Sequence, residues 1–161
     1  MNILTATALD IAGRYVGTKE VGRNRGILVE RWQHLAGAQP GDPWCACFVY
    51  ACFHEAAEAL GVANPVPRTP GALKMWRLAP AWAQFSGPSS GAIFVIDHGG
   101  GLGHVGLVEG AYDGEIWTIE GNTNEGGHRE GDGVYRRKRK RDEVNVGYID
   151  VGHRKEEERV G

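Results

Sequence analysis

At Gly91 the chain changes its period. Before it, apolar residues recur at helical spacing: Leu4, Ala8, Ile11, Ala12 and Tyr15 mark one face, and Phe48, Val49, Ala51, Cys52 and Ala56 another. After it, short runs of strand-forming residues alternate with glycine turns. The 25 glycines concentrate in this second half, as tight turns between short strands require. The pattern predicts helices at about 3–16, 25–36, 44–60 and 70–77, and strands at 92–97, 104–110, 115–120, 134–140 and 146–151. Residues 61–70, with three prolines, read as a stiffened connection. N-terminal helices packed on a largely antiparallel sheet of five or six strands make an α+β fold. No repeat or second domain is visible, so residues 1–161 read as one domain, long enough to bury a core without staples.

Composition bounds the partners. The formal net charge is −2, which favours neither nucleic acid nor an anionic membrane. The run Arg136-Arg137-Lys138-Arg139-Lys140-Arg141 could form a nucleic-acid patch, but it reads more simply as a solvated edge strand whose charges oppose aggregation. We expect no nucleic-acid partner. Residues 1–16 lack a basic leader, and Asp10 and Arg14 interrupt any apolar stretch, so no signal peptide is expected. No run approaches a membrane span. The expectation is a monomer synthesised in the cytoplasm.

All three cysteines fall between positions 45 and 52. On a helix, Cys45 and Cys52 are separated by a rise of roughly 10 Å, too far for a disulfide. A zinc site from Cys45, Cys47, Cys52 and His54 fails as well, because Cys47 and His54 point away from the face shared by Cys45 and Cys52. Free thiols fit a reducing compartment of synthesis.

Of the three, Cys45 has a distinctive setting. Gly37, Pro40, Gly41 and Pro43 stand upstream, so the helix starts at about residue 44. Cys45 then lies in the first turn, where free N–H groups and the helix dipole favour a thiolate. A thiolate nucleophile needs a base, and His104 opens a strand, which gives a general base a fixed position. The next strand carries Glu120 and Asn122, and the intervening turn decides what His104 meets. A two-residue loop, Asp113-Gly114, would place Glu120 opposite Leu107 on the other face. A three-residue loop, Tyr112-Asp113-Gly114, sets His104 against Asn122 and Gly106 against Glu120, and it groups Val105, Leu107, Trp117 and Ile119 on one apolar side. We take the second register. His104, Glu120 and Asn122 then share a face around Gly106, which leaves room for the Cys45 helix to approach.

These residues resemble the motifs of the CHAP amidohydrolase/peptidase family, a branch of the NlpC/P60 and papain-like cysteine hydrolases. Pro43-Trp44-Cys45-Ala46-Cys47-Phe48-Val49 is similar to the cysteine motif, Gly103-His104-Val105-Gly106 to the histidine motif, and Glu120-Gly121-Asn122 to the acidic motif. The resemblance covers about residues 16–149 and implies a papain-like fold that cleaves peptidoglycan amides. By it Cys45 attacks, His104 serves as base and then acid, Glu120 orients His104, and Asn122 assists in orienting the histidine or polarising the carbonyl. It implies a phage lysin released by a holin, or an effector delivered by a secretion machine.

Some relatives carry a calcium loop, but residues 17–26 have too few hard oxygen ligands, so neither metal nor cofactor is expected. No separate wall-binding domain is expected within these 161 residues. Trp44, Gly103 and the loop at 121–133 are candidates to line a substrate cleft. The Cys45 N–H is a candidate oxyanion donor, with Gln39 a weaker one. Two alternatives stay open, a catalytically inactive wall-binding module and a papain-like protease of protein substrates.

Overall fold

The computed structural model describes residues 1–123 and 131–153. Within them, helices α1 (Ile3–Tyr15), α2 (Ile27–Ala36), α3 (Cys45–Leu60) and α4 (Ala72–Leu78) precede strands β1 (Gln84–Phe85), β2 (Ile93–Gly99), β3 (Leu102–Tyr112), β4 (Glu115–Thr123), β5 (Gly133–Lys140) and β6 (Gly147–Ile149). The strands form one antiparallel sheet in the order β1-β6-β2-β3-β4-β5. The α+β class matches the sequence reading. Strand β1 escaped it, since two residues carry no period.

Helix α3 is the centre of the fold. It is buried nearly all round, from Cys45 to Phe53 and again at Ala56 and Ala57, as a helix covered on every side must be. Its start is anchored by aromatic packing: Trp32 of α2 meets the Phe48 ring edge-on at 5.0 Å and the Tyr15 ring at 5.1 Å. Gly61, at φ 67°, ends it in the left-handed conformation. Among the described residues, no helix is long and apolar enough to cross a membrane.

The sheet turns Val95, Val105, Leu107 and Ile119 toward the helices and Phe94, Ile96, Val108, Ile116 and Tyr148 into a smaller cluster behind. Near the site, the β3–β4 hairpin has the register expected, but by another route. Its tip is the two-residue turn Asp113-Gly114, with φ 51° and 76° and Tyr112 paired to Glu115, the geometry of a type I′ hairpin. The three-residue loop is therefore wrong. A bulge between Val108 and Gly110 supplies the extra residue, so that Leu107 faces Ile119. Trp117, expected in the apolar set, is 41% exposed, since its cross-strand neighbour past the bulge is Gly110.

The close approach of α3 also falls elsewhere than expected. A Cβ on Gly106 would lie 2.6 Å from the Phe94 ring and 2.8 Å from the Glu120 side chain, so these two fill its space. It is Gly121 that admits α3: a Cβ there would come within 2.7 Å of Phe48 and 2.8 Å of Trp44. Gly121→Ala should therefore cost roughly 1–3 kcal/mol by overpacking, read as a lowered denaturant midpoint at unchanged slope. A midpoint equal to the native one would mean that the helix does not need this glycine.

Candidate active site

The loop ahead of α3 is fixed from within. Buried Gln33 donates through Nε2 to the carbonyls of Asn24 (2.9 Å) and Asp42 (2.8 Å), while Asn24 donates through Nδ2 to the carbonyl of Gly41 (3.1 Å). These bonds deliver Pro43 and Trp44 into α3 with Cys45 as its first residue. Cys45 borders a cleft of about 370 Å³ whose walls include Asp42, Pro43, Gly71, Lys74, Arg77 and Gly103.

His104 reaches Cys45 from β3. The ring is buried, and its Nε2 bonds to Glu120 Oε1 at 2.7 Å. Nδ1 has no fully formed hydrogen bond, yet the ring interacts with the Cys45 sulfur, which leaves Nδ1 as the nitrogen facing it. Loose contact of this kind is common before substrate closes a site. Burial disfavours charge on the ring, but its contact with the Cys45 sulfur, its bond to Glu120 and the negative charge of both outweigh burial and push His104 up to about 9. The arrangement thus supports a protonated His104 ring beside the Cys45 sulfur. The other thiols differ, since burial pushes Cys47 up to about 12 and Cys52 well above the ordinary thiol range.

Glu120 is fully buried and saturated. Oε1 accepts from His104 and from Arg139 Nη2 (2.8 Å), and Oε2 accepts from Arg139 Nε (2.7 Å) and the Thr118 hydroxyl (2.6 Å). Burial alone would raise its pKa, but the bonds and charges of Arg139 and His104 hold it well below the usual carboxylate range. A second carboxylate, Glu143, meets Arg139 Nη1 at 3.0 Å. The chain of contacts from Cys45 to Arg139 sets a thiol, an imidazole and a clamped carboxylate in series, the arrangement that nucleophilic catalysis requires.

Other expected residues stand differently. Gly103 lines the cleft. Trp44 does not; it is completely buried and donates through Nε1 to Glu20 at 2.8 Å, so it packs rather than meets substrate. Gln39 is exposed and is not part of the cleft wall. Asn122 is buried in the left-handed conformation (φ 55°) beside a bulge, its Oδ1 without a hydrogen bond. Of the loop expected at 121–133, residues 124–130 lie outside the described ones. Among the described residues, no group of three His, Cys, Asp or Glu is placed to hold a metal ion.

Arg139 and Thr118 were not foreseen. The run at 136–141 does end on an edge strand, and Arg136 and Lys138 do pair with surface carboxylates. Arg139 is instead buried against Glu120. The signal was available in the alternation of β5: Arg139 pairs with Ile116 and Arg137 with Thr118, which puts both on the face of Glu120.

The CHAP domain family model matches residues 37–122, a stretch running from just before the cysteine helix to Asn122. No curated protein gives a significant match. Among solved structures, the chain is similar to Ly7917, with a TM-score of 0.54 and 18% identity over 91% of this chain. The Ly7917 structure with the hydrolyzing product of MDP gives 0.52 and 20%. The chain spans 62% of the Ly7917 length. The P60 domain from M. avium subspecies paratuberculosis antigen MAP1204 gives 0.50 and 14%, over 92% of this chain and 94% of that domain. At these identities the likeness is one of fold, and the fold is that of NlpC/P60 domains.

Proposed function

Since the chain belongs to the CHAP domain family, we propose that it is a peptidoglycan hydrolase that cleaves an amide through a Cys45 acyl-enzyme. The observation that carries this reading is the ordered set Cys45–His104–Glu120, with the sulfur opening on a cleft and the carboxylate held ionised behind the base. The relative solved with the hydrolyzing product of MDP supports the substrate class.

In the mechanism, the Cys45 thiolate attacks the amide carbonyl, forming a C–S bond and an oxyanion. First-turn N–H groups of α3, that of Cys45 among them, point toward the forming charge and stabilise it. His104 passes its Nδ1 proton to the leaving nitrogen as the C–N bond breaks. Water then enters, gives a proton to Nδ1 and attacks the thioester, releasing the acid and restoring the thiolate–imidazolium pair. Glu120 holds the ring through Nε2 in both half-reactions, which fixes the tautomer that leaves Nδ1 free to act. Asn122, buried with its Oδ1 without a hydrogen bond, assists in orienting the histidine or polarising the carbonyl.

The test is digestion of purified peptidoglycan followed by mass spectrometry of the fragments. Hydrolysis adds one water per amide cleaved, and the new ends show whether the bond is N-acetylmuramoyl-L-alanine or a stem-peptide or cross-bridge amide. Binding without any fragment would favour an inert wall-binding module. Casein cleavage without fragments would favour a protease.

A further inference from the structure

We propose that Lys74 and Arg77 of α4 form a carboxylate-binding subsite that selects peptides carrying a free carboxylate beside the scissile amide. This rests on the hydrolase reading above and specifies its substrate class. Both side chains stand in the wall of the cleft that opens at Cys45. Three residues apart on a helix, they share one face, and both are exposed.

The platform that carries them is rigid. Ala72 and Met75 are buried, and Gln84 donates through Nε2 to the Trp76 carbonyl at 2.9 Å. Leu73 lies so close to Gly103 that a Cβ there would come within 2.7 Å of it. The absent side chain at 103 thus docks α4 directly beside His104, and the distance between the cations and the reacting groups is set by packing.

Arg14, Arg25, Arg31, Arg136 and Lys138 each have a carboxylate within 4 Å. Among the described residues Lys74 and Arg77, like Arg68, Arg137, Lys140 and Arg141, have no carboxylate within 4 Å, and of these six only Lys74 and Arg77 line the cleft at Cys45. Among the described residues, the one carboxylate in the cleft wall is Asp42, which stands beside Pro43 on the cysteine side and accepts from the Gln39 N–H at 2.9 Å. The cleft wall thus carries a carboxylate on the Cys45 side and two cations along α4, among the described residues. A substrate carboxylate is repelled from Asp42 and drawn to α4, which presents the adjacent neutral carbonyl to sulfur. Arg77 suits a planar, forked contact and Lys74 a point charge.

The experiment uses two synthetic peptides that differ only in whether the carboxylate flanking the scissile amide is free or a carboxamide. The full chain should turn over the free acid with kcat/KM roughly tenfold higher, the equivalent of one good charge contact, mostly through KM, and raised salt should erode the preference. Lys74→Gln with Arg77→Gln should bring the free acid down to the level of the amide. An equal fall for both peptides, or a native protein indifferent to the charge, overturns the subsite. Calorimetric binding of the same peptides to Cys45→Ala separates this from the hydrolase reading. If neither peptide is cleaved, that reading fails, while tighter binding of the free acid still supports the subsite and equal binding still overturns it.

Discussion

Cys45→Ala is expected to lower amide hydrolysis on the order of 10⁴-fold or more, as removal of a covalent nucleophile does, with the circular dichroism spectrum unchanged. Neither of the other two cysteines is placed to substitute. Cys47 and Cys52 lie on the same helix, but burial keeps their protons on, at about 12 for Cys47 and well above the ordinary thiol range for Cys52. Alkylation by iodoacetamide at neutral pH should accordingly label Cys45 in the folded protein and spare the other two. The variant also reports on the base. Its interaction with the Cys45 sulfur is one of the causes that push His104 up to about 9, so the ring should titrate lower in Cys45→Ala, as followed by NMR. In the native protein the sign runs the other way. A raised histidine pKa stabilises the fold fully below about 6.5, its unperturbed value, and this contribution is lost as pH rises through about 9. Activity should decline over the same alkaline range. Substantial turnover by Cys45→Ala, or a His104 titration indifferent to the substitution, would sink the nucleophile assignment.

What was legible in the sequence divides along physical lines. The start of α3 could be read because proline and glycine act locally: Pro43 bars a helix before Trp44, and the helix begins at Cys45. The pairing of β3 with β4 could be read because an apolar face must stay buried. The bulge at Val108–Gly110 could not, because a turn and a bulge shift register equally and only the strand geometry distinguishes them. Gly106 and Gly121 look alike in sequence; which of them admits a helix depends on how α3 crosses the sheet. Trp44 beside a nucleophile reads as a cleft residue until Trp32, Phe48 and Glu20 are seen to enclose it. Arg139 was hidden by its neighbours, since a run of six basic residues suggests a solvated strand unless its two faces are taken apart.

Arg139→Met should destabilise the protein by about 3–5 kcal/mol, the cost of leaving one member of a buried ion pair behind, and lower its thermal midpoint by roughly 10 °C. The methionine fills similar space, so the loss measures charge and hydrogen bonds rather than a cavity. Both bonds of the guanidinium fork to Glu120 disappear, and His104 and Thr118 remain. The pH dependence gives a sharper test than the midpoint. A carboxylate whose pKa is lowered by folding contributes stability above its unfolded value, near 4.5, and loses it as pH falls through the folded one. In the native protein that loss comes only at strong acidity. Without Arg139 the burial of Glu120 is less well opposed, its pKa rises, and the acid limb of both stability and activity moves toward neutrality. Arg139→Lys restores the charge without the fork, so it should recover part of the stability and return the acid limb most of the way. An Arg139→Met protein that melts within about 1 kcal/mol of native and keeps the native acid limb would mean that His104 and Thr118 suffice to hold Glu120 ionised. If Arg139→Lys behaves no better than methionine, the bidentate geometry of the guanidinium, and not its charge, is what keeps the base oriented toward Cys45.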